Sequence, residues 1–386
     1  MVVFLRSRIV VLFLIILLVC VFVTSIVYTY IKTPDSVSNE FFFGVTADGN
    51  VTATKNLIDK VKGITNLLII NNPDVIKNEN SLDDVCHYAK EAGQSFFVFM
   101  AHPAFWQYNY NPLEWLPEAK EDYGENFLGI YLYDEPGGNQ LDLGAFRQFD
   151  DDSYTPLDHR DAANSYVYFL YIYMRDFIKF DKLVTSDYGL FWFDYEAGYD
   201  VIFCEFGSNR VKEINIPLCR GAAEMHNKTW GVMVTWKYDE PPYMESADEL
   251  YNDLVIAYQA GAKYVAVFNH PETGPYGLLT EEHFNTIKQF NDYANSNSQN
   301  ETSNIQKIAY VLPENYGWGL RNPNDNIWGL WEADEKSQEI WNDLNGLVEE
   351  YGYDFDIVYD SPWTKFFAKQ HYITLYWWDG NINTFN

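Results

Sequence analysis

Eight short apolar runs, rich in β-branched and aromatic residues, recur at 41–46, 66–70, 95–100, 127–133, 182–185, 201–204, 230–235 and 263–268. Between most of them lies a segment with apolar residues at helical spacing, such as "SLDDVCHYAKEAG" and "SADELYNDLVIAYQAGA", two of them closing at a glycine. A crossover helix returns the chain to the start of the next strand, so strands alternating with helices pair in parallel. Eight such units are the count of a closed (β/α)8 TIM barrel, the α/β fold class expected here, and an open doubly wound sheet is the competing arrangement. Two units depart from the pattern. The fourth run is followed by a long acidic connection, "QFDDDSYTPLDHRD", and the fifth by "DYGLFWFDYEAGYD", which leaves little room for a helix.

The barrel is expected over 41–294. Ahead of it, residues 9–31 carry no charge and are long enough for one transmembrane helix, with 1–32 as cytoplasmic tip and anchor and 33–40 as a polar tether. Arg6 and Arg8 precede the span against Lys32 alone behind it, so the positive-inside rule leaves the N-terminus in the cytoplasm and the barrel outside the cell membrane. No small-x-small cleavage site is evident, which favours an uncleaved anchor. After a polar linker, 295–306, residues 307–386 describe a small C-terminal α/β domain. Its first loop carries Trp318, Trp328 and Trp331, expected to pack against the barrel, with a ligand rim as the alternative.

Composition removes several functional classes. The net charge is −29, with only 26 Lys plus Arg, and no basic stripe suited to nucleic acid is visible. There is no HExxH, calcium loop or His pair at i, i+4, so no metal is expected. GxGxxG, P-loop and GxSxG patterns are also missing, which removes the common nucleotide and serine-hydrolase readings, and no cofactor is expected. Cys86, Cys204 and Cys219 have no paired spacing and read as buried thiols. Asn50, Asn227 and Asn300 head Asn-x-Thr triplets that would accept a glycan on an outside face.

In such a barrel the residues just past each strand form the site. Here they make a polar ring of Asp48, Asn71, Asn72, His102, Asp134, Glu135, Asp187, Glu205, Trp236, Asn269 and His270. Aromatics follow: Trp106 after the third strand, Tyr188 and Trp192 after the fifth, Tyr238 after the seventh, with Tyr133 closing the fourth. Carboxylates for acid/base work beside flat aromatic faces suit hydrolysis of a glycosidic bond. An oligo- or polysaccharide is therefore the expected partner. Strand alternation sets Glu135 on the face of Tyr131 and Tyr133, toward the barrel mouth. "YDEP" occurs twice, but aligning Gly129 with Gly231 leaves Asp239 and Glu240 three residues further out, in a loop. The catalytic candidates are Glu135, Asp134 and Glu205, with Glu240 retained among binding residues.

Asp-Glu-Pro after the fourth strand resembles the substrate-assisted β-hexosaminidases. In that family the Asp orients the 2-acetamido group that attacks the anomeric carbon and the Glu is general acid, which implies those roles for Asp134 and Glu135. Less closely it resembles the retaining barrel glycosidases with Asn-Glu-Pro there. Asp134 replaces their Asn, and Trp236 stands where their strand-seven nucleophile would be. An anchored barrel with a small α/β domain is also similar to uncharacterised proteins of the glycosidase superfamily, and that domain to the amidotransferase-like domain of some β-galactosidases. The rival reading is a non-catalytic glycan-binding or surface-structural protein on the same barrel.

Overall fold

The computed structural model describes residues 41–144, 155–180, 182–207, 211–270, 274–299 and 308–385. The apolar stretch 9–31 lies outside the described residues, as does Asn300; among those described, no helix is long and apolar enough to cross a membrane. Every run read as a strand forms one: β1 Phe42–Ala47, β2 Leu67–Ile70, β3 Ser95–Met100, β4 Phe127–Leu132, β5 Leu183–Asp187, β6 Val201–Phe206, β7 Thr229–Val234 and β8 Tyr264–Val267. They pair in parallel in chain order, and β8 returns to β1 with Tyr264 opposite Phe42. That closing pair makes the sheet a barrel and excludes the open arrangement.

Strand side chains alternate between the interior and the surrounding helices. Inside, Phe42 stacks on Tyr264 with ring centroids 5.1 Å apart, while Phe97 and Phe203 meet Tyr264 at 5.5 and 6.1 Å. These rings plug the lower barrel, so a ligand can enter only at the C-terminal ends of the strands. The register between β3 and β4 shifts at Phe96/Phe97, leaving Leu128 as an extra residue. Gly129 follows at φ 138°, and a Cβ there would stand 2.3 Å from the Lys182 carbonyl oxygen. Glycine thus permits the bulge, and the bulge aims Tyr131 into the interior cluster.

The unit after β5 does form a helix, Phe191–Ala197, contrary to what its length suggests. It is buried on all sides but Glu196 because a second domain covers its outer face: Phe193 packs on Trp328 at 4.7 Å and on Tyr359 at 5.1 Å. That domain is a sheet of β9 Ile308–Leu312, β10 Asp356–Tyr359, β11 Thr374–Trp377 and β12 Ile382–Thr384 in the order β10-β9-β11-β12, only β12 antiparallel, with a helix over Glu335–Tyr351. Arg220 of the barrel reaches it, donating from Nε to Asp356 at 2.7 Å and from Nη2 to the Tyr353 and Phe355 carbonyls at 2.6 and 2.8 Å. Trp318 and Trp328 are fully buried, and Trp331 packs edge-on to His159 at 4.9 Å. The tryptophans are packing residues, and the ligand-rim alternative falls.

Candidate functional site

A cavity of about 590 Å3 opens at the C-terminal ends of the strands. Asp48, Asp134, Glu135 and Glu205 bring carboxylates to it, and Phe99, Trp106, Trp236 and Phe268 bring aromatic faces. One strand layer deeper, Tyr131, Ser186 and Met233 form the floor.

The floor ties two of the carboxylates together. Ser186 Oγ donates to Glu205 Oε1 at 2.6 Å and lies 3.4 Å from Asp134 Oδ1. The Tyr131 hydroxyl donates to Asp134, accepts from the Ser186 backbone N–H at 3.0 Å, and stands 2.7 Å from Ser186 Oγ. Glu205 is therefore held within two hydrogen-bond lengths of Asp134. Its buried carboxyl accepts this hydrogen bond. Asp134 is wetted by the cavity but crowded by protein elsewhere. That desolvation holds its carboxyl above the usual range, against hydrogen bonds from Tyr131 and Ser186 that pull it down.

The backbone, rather than strand alternation, delivers Asp134 and Glu135 to the same wall. Tyr133 and Glu135 adopt left-handed φ values of 58° and 49° on either side of Asp134. Each such non-glycine residue costs on the order of 1–3 kcal/mol, strain that clusters at functional sites. Tyr133 is thereby turned away from the cavity, edge-on to Tyr173 at 4.9 Å and Phe169 at 5.8 Å, so the shared face expected for Tyr133 and Glu135 does not exist.

Asp187 holds this turn. It points away from the cavity and accepts backbone N–H bonds from Gly137 at 2.5 Å, Gly138 at 2.8 Å and Tyr188 at 2.6 Å, capping the helix Pro136–Leu143 that begins after Glu135. Tyr188 lies flat against that helix, where a Cβ on Gly138 would stand 2.1 Å from its ring, and its hydroxyl donates to Asp142 at 2.5 Å. Tyr188 is thus a support of the turn that carries Asp134 and Glu135 and does not line the cavity.

Other expected binding residues also sit elsewhere. Trp192 is buried toward the small domain, donating to Glu196 at 2.9 Å and packing on His226 at 4.6 Å. His102 caps the next turn through Ala104 N–H and pairs with Asp176 at 3.2 Å. Asn269 is a loop brace, donating to the Tyr276 carbonyl and accepting from Leu278 N–H, each at 2.8 Å. His270 stands behind Asp48 at 3.3 Å. The second YDEP is a solvent loop: Tyr238 and Glu240 are exposed and outside the cavity lining. Asp48, Trp106 and Trp236 line the cavity with the three catalytic candidates. Reading only strand ends passes over Tyr131 and Ser186; their signal is a polar atom at an inward-facing strand position, two or fewer residues before the end.

Two buried carboxyls beside this framework make stability depend on pH. Desolvation pushes Asp187 up to about 7, and desolvation with the neighbouring Asp253 pushes Glu245 up to about 8. Both bind a proton more tightly folded than in the unfolded chain, where such groups titrate near 4. Their stabilisation is whole below that pH and is lost as pH rises through about 7 and 8, so the melting temperature falls between about pH 5 and 9. Glu245→Gln keeps the neutral shape and removes the upper part of that fall; calorimetry showing an unchanged slope contradicts this assignment.

Among the described residues, no group of three or more His, Cys, Asp or Glu side chains is placed to hold a metal ion. No protein-family model matches the chain, and no curated protein matches it in sequence. Solved structures do match. An α-L-fucosidase isoenzyme 2 from Paenibacillus thiaminolyticus aligns at TM-score 0.51 and 13% identity over 87% of this chain and 59% of its own. An endo-β-1,4-mannanase from Thermotoga petrophila aligns at 0.44 and 10% over 72% and 83%, and a family 1 β-glucosidase from Thermotoga maritima at 0.39 and 13% over 67% and 98%. At these identities the likeness is one of fold, and the chain is a (β/α)8 barrel with a small C-terminal α/β domain.

Proposed function

We propose that this chain is a glycoside hydrolase, held at the outer face of a cell membrane by residues 9–31. The observation that carries the reading is the convergence of Asp134, Glu135 and Glu205 in one aromatic-walled cavity at the C-terminal end of the barrel. Trp106 and Trp236 offer apolar faces to sugar C–H groups. Glu135 delivers a proton to the leaving glycosidic oxygen. Glu205, oriented by the hydrogen bond from Ser186, serves the oxocarbenium side as nucleophile or as base for water. Where the substrate bears a 2-acetamido group, Asp134 orients it, with the Tyr131 and Ser186 hydroxyls fixing the Asp134 carboxyl.

Two carboxylates in one open cavity favour turnover over mere binding. The test is the full chain in detergent against a panel of chromogenic glycosides, N-acetylhexosaminides included, and against surface polysaccharide. Release of product that Glu205→Gln lowers by about 10²-fold or more supports the reading, while Glu240→Gln, out in solvent, costs less than about tenfold. Binding without turnover overturns it. The anchor is tested separately: a reporter fused after Asn386 is expected outside the cytoplasm and membrane-bound through an alkaline carbonate wash. Release as a chain lacking its first segment indicates a cleaved signal.

A further inference from the structure

The small domain carries an exposed aromatic ridge. The short helix Thr364–Ala368 is pinned by Thr364 Oγ1, which donates to the Tyr359 carbonyl at 2.9 Å, and by the fully buried Ala368. On its outer side Trp363 is 66%, Phe366 53% and Phe367 39% exposed. Lys369 flanks these rings, 4.7 Å from the Phe366 ring centre, and the exposed Lys365 lies 4.7 Å from the ring centre of Trp377 on β11. Residues 361–371, "SPWTKFFAKQH", contain two lysines and no acid in a chain whose net charge is −29. Acids do adjoin the stretch, since Asp360 interacts with Lys365 and Glu224 pairs with His371 at 2.9 Å, but neither lies among the exposed rings.

We infer that this ridge docks on an anionic lipid surface, with Trp363, Phe366 and Phe367 entering the headgroup boundary and Lys365 and Lys369 meeting lipid phosphates and carboxylates. Rigidly held Trp and Phe beside Lys are the composition of an interfacial anchor. The acidic remainder of the surface is repelled by such a bilayer, so the charge pattern permits contact through this ridge.

The chain just past the ridge packs against the barrel. His371 pairs with Glu224 at the lower end of the helix Lys212–Met225, and Tyr372 donates to Asp356 at 2.9 Å. Asp356 also holds Arg220, whose Nη1 donates to the Ala260 carbonyl at 3.3 Å. Ala260 lies just before Lys263, whose carbonyl accepts from Phe42 N–H at 3.0 Å, where β1 begins. His371 and Tyr372, which follow the ridge in the chain, thus lie toward the end of the barrel at which β1 begins. This step rests on the reading of 9–31 as an anchor, which brings the protein to a bilayer surface.

The test places an environment-sensitive fluorophore on Gln370→Cys, next to the ridge, in the full chain reconstituted into phosphatidylcholine vesicles with or without phosphatidylserine, with a quencher carried on the lipid. Quenching is expected only with phosphatidylserine. Lys365→Gln and Lys369→Gln each lower the docked fraction's equilibrium constant about fivefold, the usual worth of one lysine at an anionic surface. Trp363→Ser with Phe366→Ser and Phe367→Ser abolishes quenching while leaving melting temperature unchanged, since these rings are exposed. No quenching in a chain that survives the alkaline wash overturns the ridge and leaves the anchor standing. Quenching in a chain that washes off sinks the anchor and leaves the ridge. Quenching that ignores phosphatidylserine, or a lipid-free emission shift that grows with protein concentration and marks a second copy as occupant, overturns the proposal.

Discussion

Glu135→Gln lowers turnover by about 10²- to 10⁴-fold, the range expected when a general acid is lost. The amide keeps the carboxyl's shape but cannot deliver a proton to the leaving oxygen. Melting temperature should hardly move, because the strained turn is held from outside the side chain: Glu135 N–H donates to the Ser186 carbonyl at 3.1 Å and its own carbonyl accepts from Asn139. A substrate with an activated leaving group, which needs little protonation, should recover most of the loss; steady-state kinetics on an aryl glycoside with a good leaving group against one with a poor one reads this directly. Equal loss on both, or none on either, removes Glu135 from the acid's role.

Trp328→Ala is expected to destabilise the protein by about 3–5 kcal/mol, measured as a shift in denaturant midpoint. The ring is fully buried against Gly317, where a Cβ would stand 2.3 Å from it, and against Tyr166 at 5.6 Å and Phe193 at 4.7 Å. Its Nε1 donates to the Asn315 carbonyl at 2.9 Å. Its own carbonyl accepts from Gln140 at 2.9 Å, on the helix that follows Glu135, and Arg321 of the same loop pairs with Asp142 of that helix. The small domain therefore braces the turn that carries Asp134 and Glu135. Turnover should fall along with stability, whereas a cavity mutant distant from this brace, Ile340→Val in the helix Glu335–Tyr351, should lose stability without a matching loss of activity.

The strands were legible because period and length are local properties. Eight β-branched or aromatic runs separated by helical segments leave few ways to bury both faces of each strand. The short unit after β5 was not legible as a helix, since "DYGLFWFDYEAGYD" is short and its aromatics do not fall on one face. Its second apolar face has meaning only once Trp328 and Tyr359, more than a hundred residues on, cover it.

In the site, the strand ends alone bring forward Asp134, Glu135, Glu205, Asp48, Trp106 and Trp236, because a parallel barrel exposes the residues after each strand at one end. The roles of Trp192, Tyr188 and His102 depended on contacts from other elements. An aromatic ring after a strand can face a ligand or a neighbouring domain, and its sequence position is the same in both cases. Glu135 shows the division most clearly. Chain order places it after β4, but its presence on the cavity wall comes from two left-handed residues, a bulge at Gly129 and the cap from Asp187. Those are matters of backbone dihedral and long-range hydrogen bonding, set when the barrel closes and the small domain packs against it, so alternation along the strand carries no record of them.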